Sequence, residues 1–189
     1  MQMTGLLNNE QRDFLLNLAR RAITLHLEKG EKLKINLDDE MLKKELGVFV
    51  TLKVDDQLRG CIGYPLPTKP LYKVVIEMAV AASSHDHRFQ SLSKTELPHL
   101  KIEISVLSLP EPIQNHEDIK VGEHGIIISQ GSDKGLLLPQ VPVEWGWDLE
   151  TYLRHGCLKA GLDEDAWKKD ATIEIFTAQV FEEDPSLLP

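Results

Sequence analysis

Val48-Phe49-Val50-Thr51-Leu52-Lys53-Val54-Asp55-Asp56-Gln57-Leu58-Arg59-Gly60-Cys61-Ile62-Gly63-Tyr64 is the stretch whose reading decides the fold. Val48, Val50, Leu52 and Val54 alternate with Phe49, Thr51 and Lys53, the period of a strand with one apolar face. Leu58, Ile62 and Tyr64 give a second strand its apolar face, so the segment reads as an antiparallel hairpin. Residues directly opposite one another in a hairpin share a face, and matching the two apolar faces asks for an odd loop. The expected turn is therefore Asp55-Asp56-Gln57, with Val54 opposite Leu58, Val50 opposite Ile62 and Thr51 opposite Cys61. A two-residue turn would set Leu52 against Arg59 and mix the faces, which burial disfavours. Thr51, Lys53, Arg59 and Cys61 then lie together on the face turned from the aliphatic core.

Working outward, Asn8 or Asn9 caps a helix with Phe14, Leu15, Leu18, Ala22 and Leu25 at helical spacing, ended by Gly30. Asp38 or Asp39 is expected to open a short helix through Leu46, stopped by Gly47. Beyond the hairpin, Thr68 as cap and Pro70 in the first turn start a helix striped by Leu71, Val74, Val75, Met78, Ala79 and Ala82. It ends near Ser83-Ser84, before a His85-Asp86-His87-Arg88-Phe89 loop. Leu100, Ile102, Ile104 and Val106 mark a strand. A second hairpin pairs residues 125–129 with 136–138 around a Gly131 to Gly135 turn. Pro139 to Gly146 reads as irregular, Asp148 caps a helix ending at Gly161, and Thr172 to Phe181 reads as one final strand. Short antiparallel connections with interspersed helices define an α+β fold, a mainly antiparallel sheet flanked by helices, in a single domain over residues 1–189.

The chain has 189 residues, 42% hydrophobic and 27% charged, with a formal net charge of -9. That composition is globular rather than disordered. Its acidity disfavours a general binder of phosphate backbones. No apolar run is long enough for a bilayer and the N-terminus lacks a signal-peptide layout. Two distant cysteines do not make a disulfide framework. The expectation is a cytoplasmic protein with reduced thiols.

Cys61 is the leading candidate for chemistry. Two glycines inside a strand cost stability, and Gly60 and Gly63 bracketing a thiol point to a bulge, a bend or a close approach to the backbone. Neighbouring cations favour the reactive thiolate, and Arg59 and Lys53 share its face. Against this stands the plain reading of Cys61 as a small half-buried apolar residue. Arg88 can grip a carboxylate or phosphate, with Asp86 orienting it, although cations after a helix C-terminus are also favoured by the dipole alone. His124, before a strand, is a candidate base for Cys61. Gln140, Glu144, Trp145 and Trp147 can line a pocket or, for the tryptophans, anchor the last helix. Cys157 reads as core. His85-x-His87 lacks a matching ligand pair at zinc spacing, and a metal would need Cys61, Glu103, His124 or Glu144 from afar. No metal or cofactor is expected. The candidate set is Cys61 and His124 for catalysis, with Thr51, Arg59, Gly60, Gly63, Asp86, Arg88, Glu103, Gln140 and Glu144 for ligand binding.

Leu58-Arg59-Gly60-Cys61-Ile62-Gly63 resembles the six-residue signature of the AMMECR domain family, the AMME chromosomal region candidate proteins, also described as system protein A of the AmmeMemoRadiSam set. The resemblance continues in order through Phe49 to Leu52, Asp86-x-Arg88-Phe89, Leu100 to Leu107, Gly125 to Ile128, Gly135 to Val141, Glu144-x-Gly146-Trp147-Asp148 and Lys159 to Leu162. It implies an α+β fold with a larger and a smaller lobe and a cleft near residues 58–63. It further implies unestablished chemistry and an association with radical-SAM and Memo-like proteins. Asp56 stands where members often have Gly, which aspartate tolerates in a left-handed backbone. His87 stands where Pro is common, so no role is carried over to it.

Three readings follow. The chain is an enzyme, or the substrate-handling subunit of one, acting on an anionic small molecule with Cys61 and Arg59. Alternatively it is a non-catalytic module for a ligand or protein. A third reading, nucleic-acid binding through Lys53, Arg59 and Arg88, conflicts with the acidic balance and the absence of a basic-aromatic platform.

Overall fold

Asp55 and Asp56 both take left-handed backbone, φ 50° and 60°, and that turn sets the hairpin differently from the expectation. In this computed structural model, which describes residues 6–184, the elements run α1 (Asn9–Lys29), β1 (Val48–Val54), β2 (Gln57–Tyr64), α2 (Leu71–Ser84), β3 (Leu100–Leu107), β4 (Glu111–Pro112), β5 (Gly125–Gln130), β6 (Asp133–Leu137), α3 (Gln140–Trp145), α4 (Leu149–Lys159), β7 (Thr172–Phe176) and β8 (Ala178–Glu182). Val54 pairs with Gln57 and Lys53 with Leu58, so the turn has two residues, not three. The register then slips between Leu52 and Lys53, leaving Arg59 as the extra residue of a bulge. Beyond the bulge Thr51 faces Cys61 and Val50 faces Ile62, as expected. A tight turn whose twist suits a hairpin and one bulged residue together do what an odd loop would do. Leu58 is thereby displaced from the apolar face and is exposed.

Replacing Asp56 by Gly removes the cost of a Cβ at positive φ. The expected gain is about 0.5 kcal/mol. Asp56→Val should lose about 1–2 kcal/mol at the same position. Urea midpoints of the two variants check both signs, and equal midpoints would contradict the turn geometry.

The described residues form two compact units. The first runs up to Leu107 and resumes at Gln179, with strand order β2-β1-β3-β8. β1 is antiparallel to both β2 and β3, and Val48, Val50 and Leu52 lie opposite Val106, Ile104 and Ile102. All six are fully buried, in one core with Leu15, Leu18, Ala19, Ala22 and Ile23 of α1 and Leu71, Val74, Val75 and Ala79 of α2. Burying each large aliphatic side chain contributes about 1.5–3 kcal/mol, which fixes the polar face of β1 by exclusion. Asn8 and Gln11 close α1 with a reciprocal capping box, and left-handed Gly30 ends it.

The 38–46 segment holds one turn, over residues 40–43, and no helix. The Asp39 carboxylate accepts from the Met41 and Leu42 amides and so completes a single turn. Pro70, not Thr68, occupies the cap position of α2. Glu183 is buried and accepts from Ile102 N at 2.9 Å and from Arg20 Nε and Nη2 at 2.7 and 2.6 Å. It fastens the exit of β8 to β3 and α1.

The second unit is Ser108–Ala178, with strand order β4-β7-β5-β6. Its core holds Ile126, Ile128, Tyr152, Leu153, Cys157 and Ile173. The second hairpin forms with a shorter turn than expected: Gln130 pairs with Asp133 across Gly131-Ser132, and Asp133, Lys134 and Gly135 belong to β6. Residues 140–145, expected to be irregular, form the short helix α3. The expected final strand is two: β7 ends at Phe176, β8 begins at Ala178, and each belongs to a different sheet. Thr177 interrupts it, exchanging hydrogen bonds with Ser108 through Ser108 N to Thr177 O and Thr177 N to Ser108 Oγ.

Candidate functional site

Cys61 lies on β2, an edge strand of the first sheet. An edge strand presents unpaired N–H and C=O groups, and at Cys61 both are taken by one ion pair. Asp86 Oδ2 accepts from Cys61 N at 2.9 Å, and Arg88 Nη2 donates to Cys61 O at 3.2 Å. Arg88 in turn holds Asp86 with two guanidinium bonds, Nε to Oδ1 at 2.9 Å and Nη2 to Oδ2 at 2.7 Å, and the Arg88 amide also donates to Oδ1. The Asp86 side chain is 2% exposed and that of Arg88 is 50% exposed. Arg88 bonding, then the Cys61 and Arg88 amides, hold the Asp86 carboxyl well below the usual carboxylate range despite burial. The loop after α2 thus clips the peptide of Cys61 in place.

The sulfur is half-buried, and the Thr51 hydroxyl donates to it at 3.3 Å. Cys61, Thr51 and Glu103 sit side by side across β2, β1 and β3. The two cations expected to attend the thiol are engaged elsewhere. Lys53 Nζ binds Glu103 Oε2 at 2.8 Å. Arg59 binds Glu96 through Nε at 2.7 Å and donates to the carbonyls of Gln90 and Ser91. Arg59, with the Ser93 amide and hydroxyl, pulls the Glu96 carboxyl down to about 2. Glu96 escaped the sequence reading, although Ser93-x-x-Glu96 is a recognisable capping-box pattern.

The glycines are explained from within. A Cβ on Gly60 would collide with the carbonyl oxygen of Ala82 in α2, and one on Gly63 with the ring of Phe49. The close approach that they permit is made by the protein's own helix and aromatic ring.

His124, Gln140 and Glu144 belong to the second unit. His124 Nδ1 accepts from the Lys120 amide at 3.2 Å, and its carbonyl is one of three, with those of Leu137 and Leu138, around the Tyr152 hydroxyl. Gln140 opens α3 and Glu144 is exposed near its end. Cys157 is fully buried, and burial pushes its thiol up. Concavities of about 310 Å³ beside α1 and about 330 Å³ near His116 and Trp167 include none of the candidate residues. Among the described residues, no three His, Cys, Asp or Glu side chains gather to hold a metal, and no helix is long and apolar enough to cross a membrane.

An α+β protein with a cysteine clipped on an edge strand by an Asp-x-Arg pair is the class that fold and site define. The AMMECR1 family model matches residues 16–181, and the chain belongs to that family. It is 48% identical over 185 residues to protein MK0488 of Methanopyrus kandleri, covering 93% of this chain and 89% of that one. It is 43% identical over 190 residues to protein PYRAB00100 of Pyrococcus abyssi, covering 94% and 93%. The crystal structure of the uncharacterized protein PH0010 from Pyrococcus horikoshii is similar at a TM-score of 0.81 and 41% identity over 95% of both chains.

Proposed function

We propose that the protein handles an anionic small molecule at Cys61, as an enzyme or as the substrate-handling subunit of one. The observation that carries this reading is the clip: a buried carboxylate and a half-exposed guanidinium fix the backbone of a half-buried cysteine. Arg88 is the cation for the ligand: although it is paired with Asp86, its side chain is 50% exposed and its Nη1 makes no hydrogen bond among the described residues. Arg59, by contrast, is 20% exposed and bound to Glu96, Gln90 and Ser91, and Lys53 is held by Glu103. Thr51 aims the sulfur. His124 as base is supported only by its residue type. A role beside radical-SAM and Memo-like proteins, in the cytoplasm, is supported by the family resemblance and by the two unpaired thiols.

Faster alkylation of Cys61 than of Cys157 would follow from burial alone, so the test compares Cys61 with itself. In the Cys157→Ala background, Arg88→Ala and Thr51→Val should each change the alkylation rate of Cys61 by about threefold or more at pH 7. Sulfate or phosphate should slow it only when Arg88 is present. Rates indifferent to both substitutions and both anions would remove the thiol from the chemistry.

The commitment of Arg59 and Lys53 to carboxylates favours a second reading, a non-catalytic binding module. On that reading Cys61→Ser retains ligand binding and Arg88→Ala loses it.

A further inference from the structure

The second unit carries a tier of stacked rings outside the site at Cys61. Trp147 lies flat on His155, centroids 3.9 Å apart and planes within 4°. Trp145 stacks on Trp147 at 6.2 Å and 23°. The middle ring is anchored: Trp147 packs on the second core, with exposed His155 of α4 on one of its faces. The outer end is open, with Trp145 70% and neighbouring Val143 63% exposed. Val143 also touches the space over Gly122, beside exposed Val121. Leu158, likewise exposed, lies three residues beyond His155 on α4 and so on the same side of that helix.

Tryptophan is the residue type that most often anchors an interface. Tryptophan has only two side-chain torsions, so Trp145 loses little side-chain entropy when it is covered. The sign of the partner is set by charge. Glu144, between Val143 and Trp145, is exposed and has no ion pair among the described residues. Asp148 follows directly as the N-cap of α4, and the whole chain carries -9. A second copy would bring the same acidity to its own. A nucleotide would bring phosphate.

We propose that this aromatic and acidic face docks a protein segment that presents arginine among aliphatic side chains. The guanidinium lies on the open face of Trp145, its charge is met by Glu144, and the aliphatic neighbours cover Val143. The proposal does not depend on the reading of Cys61.

The test titrates the full chain with a blocked hexapeptide of alternating leucine and arginine, and with its leucine and glutamate counterpart, following tryptophan emission. The arginine peptide should bind at least tenfold tighter than the glutamate peptide. Trp145→Ala should weaken it at least tenfold, and Glu144→Gln should weaken it severalfold and flatten its salt dependence. Because both side chains are exposed, circular dichroism of the variants should match the parent. Equal binding of the two peptides, or binding indifferent to Trp145→Ala, would overturn the proposal. So would self-association in sedimentation that Trp145→Ala abolishes, or Trp145-dependent binding of AMP tighter than that of the arginine peptide.

Discussion

Gly60→Ala is expected to lower stability by about 3 kcal/mol or more, the upper end of what overpacking does. The added methyl meets the backbone carbonyl of Ala82, and no rotamer change can move it aside. Relief requires α2 to shift away from β2, and α2 carries seven buried apolar residues from Leu71 to Ala82. Gly63→Ala is the internal control. The atoms nearest to its methyl belong to the Phe49 ring, a side chain that turns more readily than a backbone carbonyl moves, so the loss should be nearer 1–2 kcal/mol. Urea denaturation followed by circular dichroism gives both values. If Gly63→Ala proves the more damaging, the packing of α2 over the edge strand is wrong.

Asp86→Ala should rank next, at about 2–4 kcal/mol, because it leaves the Cys61 amide unsatisfied and the Arg88 guanidinium unpaired. Cys61 alkylation should accelerate in the same variant as the strand edge frays. The pH dependence follows from the same groups. Asp86 and Glu96 both titrate lower in the folded chain than in the unfolded one. Such carboxylates add stability that is complete above their unfolded values, around pH 4–4.5, and is lost as pH falls through their folded values. Stability should therefore hold from neutrality to about pH 4.5 and drop steadily towards pH 2. Glu96→Gln should flatten part of that limb by about 1–2 kcal/mol, discounted because its side chain is 26% exposed. An acid limb unchanged by Glu96→Gln would mean that Arg59 does not hold this carboxylate.

Several local features could be read directly from residue order. Val48 to Val54 as a half-buried strand, the pairing of Thr51 with Cys61, the Asn8 cap and Gly30 stop of α1, and the core role of Cys157 all rest on interactions within a few residues or on burial periodicity. Trp147 does pack on the second core, as one reading of the tryptophans had it, whereas Trp145 stands open. The Asp55-Asp56 turn is one residue shorter than alternation suggests, because alternation constrains only the sum of turn and strand residues. One bulge at Arg59 satisfies that sum as well as a longer loop does.

What the sequence determined by itself is the α+β composition, most of the elements, and a polar strip holding Thr51, Lys53 and Cys61. Tertiary structure alone decided which charges meet. Arg59 turned to Glu96, 37 residues away, and Lys53 to Glu103, 50 away, while Asp86 and Arg88 closed on the peptide of Cys61. It also split residues 172–181 between two sheets at Thr177. The physical reason is range. Burial periodicity and capping are encoded by neighbours, whereas the choice among many carboxylates for a given guanidinium depends on where distant backbone segments come to rest.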